Sequence, residues 1–309
     1  MTDHTTDRQA ELTHERFPDI EVRKVPFEFP DDLDPVWQPG HHEWSHMING
    51  ASLTMPYLEP FLIATLREAA GDIDDPQVLE EIADFVGQEG QHFRTHRRYN
   101  EILKANGYPE LAAVESSMKQ SYARIRDRRS LAFRLAYSAG FESMTLGVTR
   151  WLVEDRVKLF GGSDTRVASF ALWHMVEEVE HKRVAFDAYQ AAVGTYWQRA
   201  LGVLTGSLHV FLLARRGAKT MLQVDGLWRS PRSRLRLWRR TAAFFAAVVP
   251  GAIRSALPRH DPRDEPDPAW VTQWIDGYAT HTDADGPPLI DTHDGRLDVP
   301  FRAATGTAA

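Results

Sequence analysis

The chain has 309 residues, 43% of them hydrophobic and 26% charged, which is ordinary for a globular protein with one large core or two smaller ones. Its formal net charge of -7 argues against a general nucleic-acid binder, which needs a surplus of Lys and Arg. It contains no cysteine, so disulfides, thiolate metal sites, iron–sulfur clusters and cysteine nucleophiles are excluded. Any metal ion must be held by His, Asp, Glu, backbone or water.

The sequence shows neither an export signal nor a membrane-spanning segment. The first ten residues are polar and lack the apolar region of a secretory signal. The longest apolar stretch, residues 200–214, includes Thr205, Ser207 and His209 and is shorter than the roughly 20 residues that span a membrane. We therefore expect a cytoplasmic protein.

Helical periodicity follows an N-terminal arm. Residues 1–44 are charged and rich in proline and predict an extended arm. We predict helices over about residues 46–70, 76–106, 111–127, 130–160, 164–193, 197–224, 235–256 and 269–278. No useful strand-like alternation and no repeat is present, so the predicted fold class is all-α. A helical domain over 45–260 would then be followed by a loose, acidic, proline-rich tail with one short helix over 261–309.

Two Glu-x-x-His motifs lie in the middle of predicted helices. One helix carries Glu89 and His92, and a later one carries Glu178 and His181. Residues three apart lie on one face of a helix, so each pair can grip one metal ion. In both helices these residues interrupt a buried apolar stripe, where an ionised group costs several kcal/mol unless a cation compensates it.

Two further helices each offer one inward carboxylate, Glu59 and Glu142. Glu68, the competitor of Glu59, lies about half a turn round the helix and should face solvent. Pro60, directly after Glu59, is unusual inside a helix. One Glu from each of two helices plus two Glu-x-x-His motifs is the ligand pattern of carboxylate-bridged di-iron and di-manganese bundles. The alternative is four unrelated buried carboxylates, each neutralised by arginine or by protonation.

The blocks around both motifs resemble those of a known family. They read Phe85-Val-Gly-Gln-Glu-Gly-Gln-His92 and Trp173-His-Met-Val-Glu-Glu-Val-Glu-His-Lys-Arg-Val-Ala-Phe-Asp187. Both are similar to signature blocks of the "predicted metal-dependent hydrolases" of the ferritin-like superfamily, over about residues 45–260. The resemblance implies a ferritin-like four-helix bundle over 45–195 with additional C-terminal helices over 196–260. It places the metal ligands at Glu59, Glu89, His92, Glu142, Glu178 and His181.

Further polar side chains lie close to the predicted ligands. His96 lies one turn beyond the first motif and His174 one turn before the second, which places both at the same end of the site. We expect them to supply an additional ligand, a proton relay or substrate contacts; the alternative is a pair of hydrogen-bonded core histidines. Thr145 is a candidate for assisting oxygen activation, or a plain helix-packing residue. Glu177 and Glu180 lie off the stripe and are expected in salt bridges.

The C-terminal third combines apolar helices with arginines. Residues 200–213 and 241–249 are apolar, and the arginine-rich segment 229–240 lies between them. One interpretation is a hydrophobic lid or tunnel, with arginines at its mouth that hold an anionic group of the substrate. A second is attachment to an anionic membrane surface. A third is two core helices with a solvated basic loop.

The ligand set favours oxygen-preferring metals, and we expect two Fe, with Mn as the substitute. The first hypothesis is a non-haem di-iron monooxygenase that uses O2 to hydroxylate a hydrophobic, terpenoid- or lipid-like small molecule. The alternatives are a two-metal hydrolase of an ester or amide, which needs only a Lewis acid and a lowered water pKa, and a ferroxidase or metal-storage protein.

The expected partners follow from the first hypothesis. No flavin, ferredoxin or nucleotide motif is present, so an oxygenase would take electrons from a separate donor protein. We expect no nucleic-acid partner. The sequence leaves open both peripheral contact with a membrane and assembly into a homodimer.

Overall fold

The computed structural model describes residues 20–282 and 285–301, which form helices, turns and loops without a β-strand. The predicted all-α class is therefore confirmed. No helix of the described residues is long and apolar enough to cross a membrane. The α-helices are α1 His42–Ser52, α2 Met55–Ala69, α3 Pro76–Ala105, α4 Leu111–Arg128, α5 Leu131–Glu154, α6 Arg156–Phe160, α7 Thr165–His181, α8 Val184–Ala192, α9 Tyr196–Val224, α10 Pro231–Ser255 and α11 Ala269–Tyr278.

Three of the predicted helices are divided in the structure. The helix predicted over 46–70 becomes α1 and α2, because Pro56 lacks the N–H that would bond the preceding turn. Thr54 Oγ1 instead donates a 2.7 Å hydrogen bond back into α1. The helices predicted over 130–160 and 164–193 are likewise each followed by a short second helix, α6 and α8. The other predicted boundaries agree with the structure to within a few residues.

Helices α2, α3, α5 and α7 pack around a common interior, with α2 against α3 and α5, and α7 against α5 and α3. Their inward faces are apolar, as Leu62, Phe85, Leu135 and Leu172 are fully buried. Helices α9 and α10 cover the outside of α5. A four-helix interior is the arrangement that the predicted metal site requires. Assignment of these helices to the ferritin-like bundle stays a prediction.

The N-terminal arm and the C-terminal tail both pack on the helices. Phe27 and Trp37 of the arm are almost completely buried; residues 1–19 lie outside the described part of the chain. The expectation of a loose tail is wrong for residues 285–301, because Ile290 and Leu297 are fully buried. Gly162 N–H also donates to the Thr292 carbonyl at 2.8 Å, which ties the tail to the start of α7.

Helices α5 and α9 approach each other at glycines. A methyl group on Gly202 of α9 would overlap the carbonyl of Ala136, and one on Gly140 of α5 would overlap the backbone of Gly202. Only glycine permits this separation of the two backbones. The contact lies half a turn from Glu142, so it also determines where that carboxylate is held.

We expect Gly202→Ala to lower the free energy of unfolding by about 1–3 kcal/mol, because the added methyl group must push two helices apart. Urea denaturation measures the change. Gly71→Ala is the matched control, since a methyl group there would meet no atom within 4 Å and the φ of Gly71 is not positive. Equal stability of the two variants would contradict the close contact.

Candidate metal centre

The six residues predicted as ligands come together inside the four helices, and none is more than 2% exposed. Among these six residues, two groups have ligand atoms that all lie within 4.8 Å of one another: Glu59, Glu89 and His92 form one, and Glu89, Glu142 and His181 form the other. His174 extends the cluster, because it forms groups of the same size with His92 and Glu178 and with Glu59 and His96. Glu89 belongs to both groups. The geometry thus offers two neighbouring positions for a cation, with Glu89 between them.

Nine buried polar atoms of this cluster have no hydrogen-bond partner. They are both carboxylate oxygens of Glu59, Glu89 and Glu142, one oxygen of Glu178, and Nδ1 of His92 and of His181. Each unsatisfied buried polar atom costs about 1–3 kcal/mol, and native proteins contain few of them. All six predicted ligands are represented in the set. The donor atoms therefore fit a pair of bound metal ions.

The two imidazoles are oriented by hydrogen bonds on their outer sides. His92 Nε2 lies 2.8 Å from Glu177 Oε2, and His181 Nε2 lies 2.5 Å from the amide oxygen of Gln88. Both acceptors require a proton on Nε2, which leaves Nδ1 as the nitrogen that can bind a cation. Although burial acts to lower it, Glu177 and Glu89 raise the pKa of His92 well above its usual value, so a cation at its Nδ1 would displace a proton. The Nδ1 atoms of His181 and His92 face Glu89 at 3.2 and 3.7 Å. Both rings are thus prepared to bind a cation through Nδ1.

A layer of charged residues supports these outer partners. Arg23 of the arm lies 3.3 Å from Glu177 and 2.8 Å from Glu180, so both glutamates are paired with an arginine as expected. Gln88 Nε2 donates to Glu180 at 2.7 Å, which fixes the orientation of the amide. Neither Gln88 nor Arg23 was predicted from the sequence. Gln88 could have been found, because it directly precedes a ligand on the same helix; nothing in the sequence marks Arg23.

The carboxylates respond unequally to burial. Burial, reinforced by neighbouring carboxylates, raises the pKa of Glu59 and of Glu142 well above the usual value. Burial also acts on Glu89, but His181 and His92 outweigh it and lower the pKa of that carboxyl to about 2. Without cations the cluster must therefore take up protons to remain buried. Metal ions would replace those protons.

His96 and His174 form a hydrogen-bonded relay that leads to the cluster. Asn100 Nδ2 donates to the Ser52 carbonyl, so its Oδ1 accepts the Ser52 hydroxyl at 2.8 Å. Ser52 Oγ then accepts from His96 Nδ1 (2.8 Å), and His96 Nε2 accepts from His174 Nδ1 (2.9 Å). His174 Nε2 lies 2.7 Å from Glu178 Oε1, a hydrogen-bond distance that requires one proton between the two atoms. Nε2 is therefore the point at which this relay exchanges a proton with the cluster.

The structure places His96, His174 and Thr145 beside the cluster, but their predicted catalytic roles stay predictions. Burial lowers the pKa of His96 and His174, so both rings are neutral near pH 7. Thr145 Oγ1 donates to the Phe141 carbonyl of its own helix at 3.0 Å and also lines a cavity. Glu68, as expected, faces outwards, where it pairs with Arg134 at 2.7 Å.

An apolar cavity of about 190 Å³ ends at the cluster. At its inner end it is lined by Ser52, His96, Thr145, His174 and Glu178, and the remaining wall is mainly apolar. This volume exceeds the roughly 150 Å³ of an engineered cavity that binds benzene. Arg215 and Lys219 also line it, and Arg215 is exposed, so the cavity meets solvent beside two cations.

A second cluster, separate from the first, joins α1 to the end of α9. His42 Nδ1 and His46 Nε2 lie 2.9 and 2.8 Å from the same oxygen of Asp225, and Tyr108 donates to the other oxygen at 2.8 Å. Although burial acts to raise it, these hydrogen bonds lower the pKa of Asp225 to about 2. The hydrogen bonds of Asp225 account for this cluster without a metal ion.

Comparison with known protein families agrees with the ligand pattern. The family described as "Predicted metal-dependent hydrolase" matches residues 21–266, which is most of the chain. The chain belongs to this family. No curated protein and no solved structure matches it. Membership of this family and the buried Glu and His groups together indicate a metal-dependent protein. The match begins at residue 21, so it includes Arg23 of the arm.

We expect the protein to bind two Fe(II) or Mn(II) ions, and His181→Ala and Glu142→Ala each to lose at least one of them. Elemental analysis after loading and desalting measures the content. Glu68→Gln is the matched control, because Glu68 is a half-exposed glutamate outside the cluster. Full metal content in both alanine variants would show that the ligand assignment is wrong.

We expect the metal-free protein to lose stability as the pH rises from about 5 to 8. Above the ordinary Glu pKa of 4.5, the unfolded chain has released protons that Glu59 and Glu142 retain in the folded chain, so the free energy of unfolding falls. Urea denaturation in the presence of a chelator measures this slope.

The double variant Glu59→Gln/Glu142→Gln supplies the control for that slope. It should show a shallower dependence, because the two groups no longer titrate, while other groups such as Asp187 contribute equally to both proteins. Identical slopes in the two proteins would refute the assigned pKa direction.

Proposed function

We propose that this chain is a two-metal enzyme in which Glu59, Glu89, His92, Glu142, Glu178 and His181 hold the metal ions. The observation that carries the proposal is the set of nine unpaired polar atoms on these six residues. Their partners would be cations, and Nδ1 of both ligand imidazoles already faces inwards.

For the reaction, we propose oxygen-dependent hydroxylation of a hydrophobic molecule by a di-iron form of the enzyme. Four carboxylates would balance the charge of two divalent iron ions and would stabilise the additional positive charge after oxidation. Bound iron would supply the reaction with O2. Such an electron-rich set weakens the Lewis acidity that hydrolysis requires. The family description, by contrast, favours the two-metal hydrolase, which is therefore the second candidate.

The hydroxyl groups of the cavity add support for the oxygenase. Ester or amide hydrolysis forms an oxyanion, which protein donors usually stabilise. Of the two hydroxyls beside the cluster, Ser52 donates to Asn100 and Thr145 donates to Phe141. Neither is free to donate to an oxyanion. The apolar wall instead suits a substrate whose reacting carbon carries no polar group.

The chain's own residues would position the substrate and manage protons. The apolar wall holds the hydrocarbon part and excludes water, while Arg215 and Lys219 bind an anionic group at the entrance. His174 would exchange a proton at Nε2 with the carboxyl of Glu178, and His96 and Ser52 hold the ring so that Nε2 faces that carboxyl. We thus propose a terpenoid- or lipid-like acid as substrate and a separate protein as electron donor.

The origin of the incorporated oxygen atom distinguishes the two reactions. We expect the iron-loaded, chemically reduced protein to consume O2 with medium-chain or terpenoid carboxylic acids and to place ¹⁸O from ¹⁸O2 in the product. Mass spectrometry measures the label. Hydrolysis of the corresponding esters without O2, with ¹⁸O taken from labelled water, would overturn the oxygenase and favour the hydrolase.

The histidine relay supplies matched variants for this assay. His96→Ala should keep both metal ions but slow turnover, because both ring nitrogens of His96 already have partners in Ser52 and His174. Glu68→Gln should behave as the unmodified protein. Equal activity of His96→Ala and Glu68→Gln would remove the relay from the mechanism while leaving the metal centre in place.

A further inference from the structure

Helix α10 has three distinct faces. One face packs on the protein through Ser233 and Val248. A second carries exposed apolar side chains, Leu235, Trp238, Phe245, Val249 and Ile253, of which Trp238 is 67% exposed. At roughly 100° per residue these share one face; Arg232, Arg236 and Arg239 lie along one edge of it on a third face, and the exposed Arg234 lies along its other edge. The solvent-exposed side of α10 is therefore itself amphipathic, with an apolar stripe flanked by arginines.

Helix α9 carries a parallel stripe of exposed leucines. Trp197, Leu201, Leu204, Leu208 and Leu212 recur every three or four residues, and each is between 49% and 75% exposed. The stripe runs for 15 residues along the helix, or about 22 Å. In the described part of the chain nothing covers it.

The two stripes form one surface, which we call the α9–α10 face. Phe211 of α9 contacts Phe245 of α10, with ring centroids 4.8 Å apart. At the other end, Arg199 of α9 donates to the carbonyls of Ser255 and Leu257, which follow the stripe of α10. The helices are thus held side by side with both apolar stripes outwards. An apolar face of this extent marks an interaction site.

The charge around the face identifies the kind of partner. Residues 215–240 contain nine Lys and Arg and a single acid, Asp225, in a chain whose net charge is -7. An exposed apolar stripe with Trp and a flank of arginines is the composition of a helix that lies in the interface of an anionic bilayer.

We propose that the α9–α10 face docks this protein on an anionic lipid surface. Trp197, Trp238 and the leucines would enter the acyl boundary, and the arginines would contact lipid phosphates. The cavity described above is walled by the same two helices, through Phe211, Leu237 and Phe244 among others. An apolar molecule dissolved in the bilayer would then reach the cavity without crossing water. The docking itself does not depend on the reaction at the metal centre.

Vesicle co-sedimentation tests the proposal on the full chain. We expect binding to vesicles of phosphatidylcholine mixed with phosphatidylglycerol, little binding to phosphatidylcholine alone, and weaker binding at high salt. Arg232→Glu/Arg234→Glu/Arg239→Glu should weaken binding on the order of 100-fold, since each arginine near an anionic surface contributes a factor of about five. The matched control is Arg124→Glu/Arg126→Glu/Arg128→Glu, whose arginines are equally exposed on α4.

The apolar part of the face is tested separately. Leu204→Ser and Trp238→Ser should each reduce binding, whereas Val157→Ser, at a 43% exposed position away from the face, should not. Circular dichroism verifies that every variant is folded. Three results would each overturn the proposal. The first is that the protein does not bind vesicles, and the second is that the α4 control loses binding equally. The third is a dimer that the same substitutions dissociate, formed by an unmodified protein that does not bind vesicles.

Discussion

The structure depends on the burial of four carboxylates and two imidazoles in the middle of an apolar four-helix interior. Glu59, Glu89, Glu142 and Glu178 are nearly inaccessible, and most of their oxygens have no hydrogen-bond partner. Charges removed from water in this way cost several kcal/mol each unless a cation is present. The four helices can therefore remain packed around these groups only with metal ions or, at lower stability, with bound protons.

The surroundings of the cluster are organised to keep this arrangement fixed. Outer hydrogen bonds to Glu177 and Gln88 determine which nitrogen of each ligand imidazole faces inwards. Arg23 pairs with both Glu177 and Glu180, so it offsets one of their two negative charges. On the opposite side, Ser52, His96 and His174 hold a neutral relay between the cluster and the apolar cavity. The centre is thus rigid on one side and open to a substrate on the other.

Much of this arrangement can be read from the sequence, because helical periodicity reports which residues share a face. The stripes placed Glu89, His92, Glu178 and His181 inside and Glu68 outside, as the structure does. Glu59 reaches the cluster despite Pro60, because α2 continues through the proline and loses only the hydrogen bond that residue 60 would have donated. The interruptions after Ser52 and His181 were not predicted, although Pro56 is a local signal for the first of them.

Contacts between segments distant in the sequence could not be predicted in the same way. Arg23 lies 154 residues from Glu177, and no periodicity links an extended arm to a helix. Attachment to an anionic membrane surface was one of three interpretations of the C-terminal third, and the sequence did not show which side chains would be exposed. Exposure of Leu204 and Trp238 decides against two ordinary core helices, because a core helix would bury them. Which side of a helix is exposed depends on how the whole chain folds, so the sequence of the helix alone could not show it.

Anomalous X-ray diffraction at the iron edge, from crystals of the iron-loaded protein, tests the two-metal centre most directly. We predict two peaks on either side of Glu89, one bonded to Nδ1 of His92 and the other to Nδ1 of His181, with Glu59, Glu142 and Glu178 as the remaining carboxylate ligands. Three results would contradict the two-metal centre: a single peak, coordination through Nε2 of either imidazole, or peaks only elsewhere in the protein, such as at His42, His46 and Asp225.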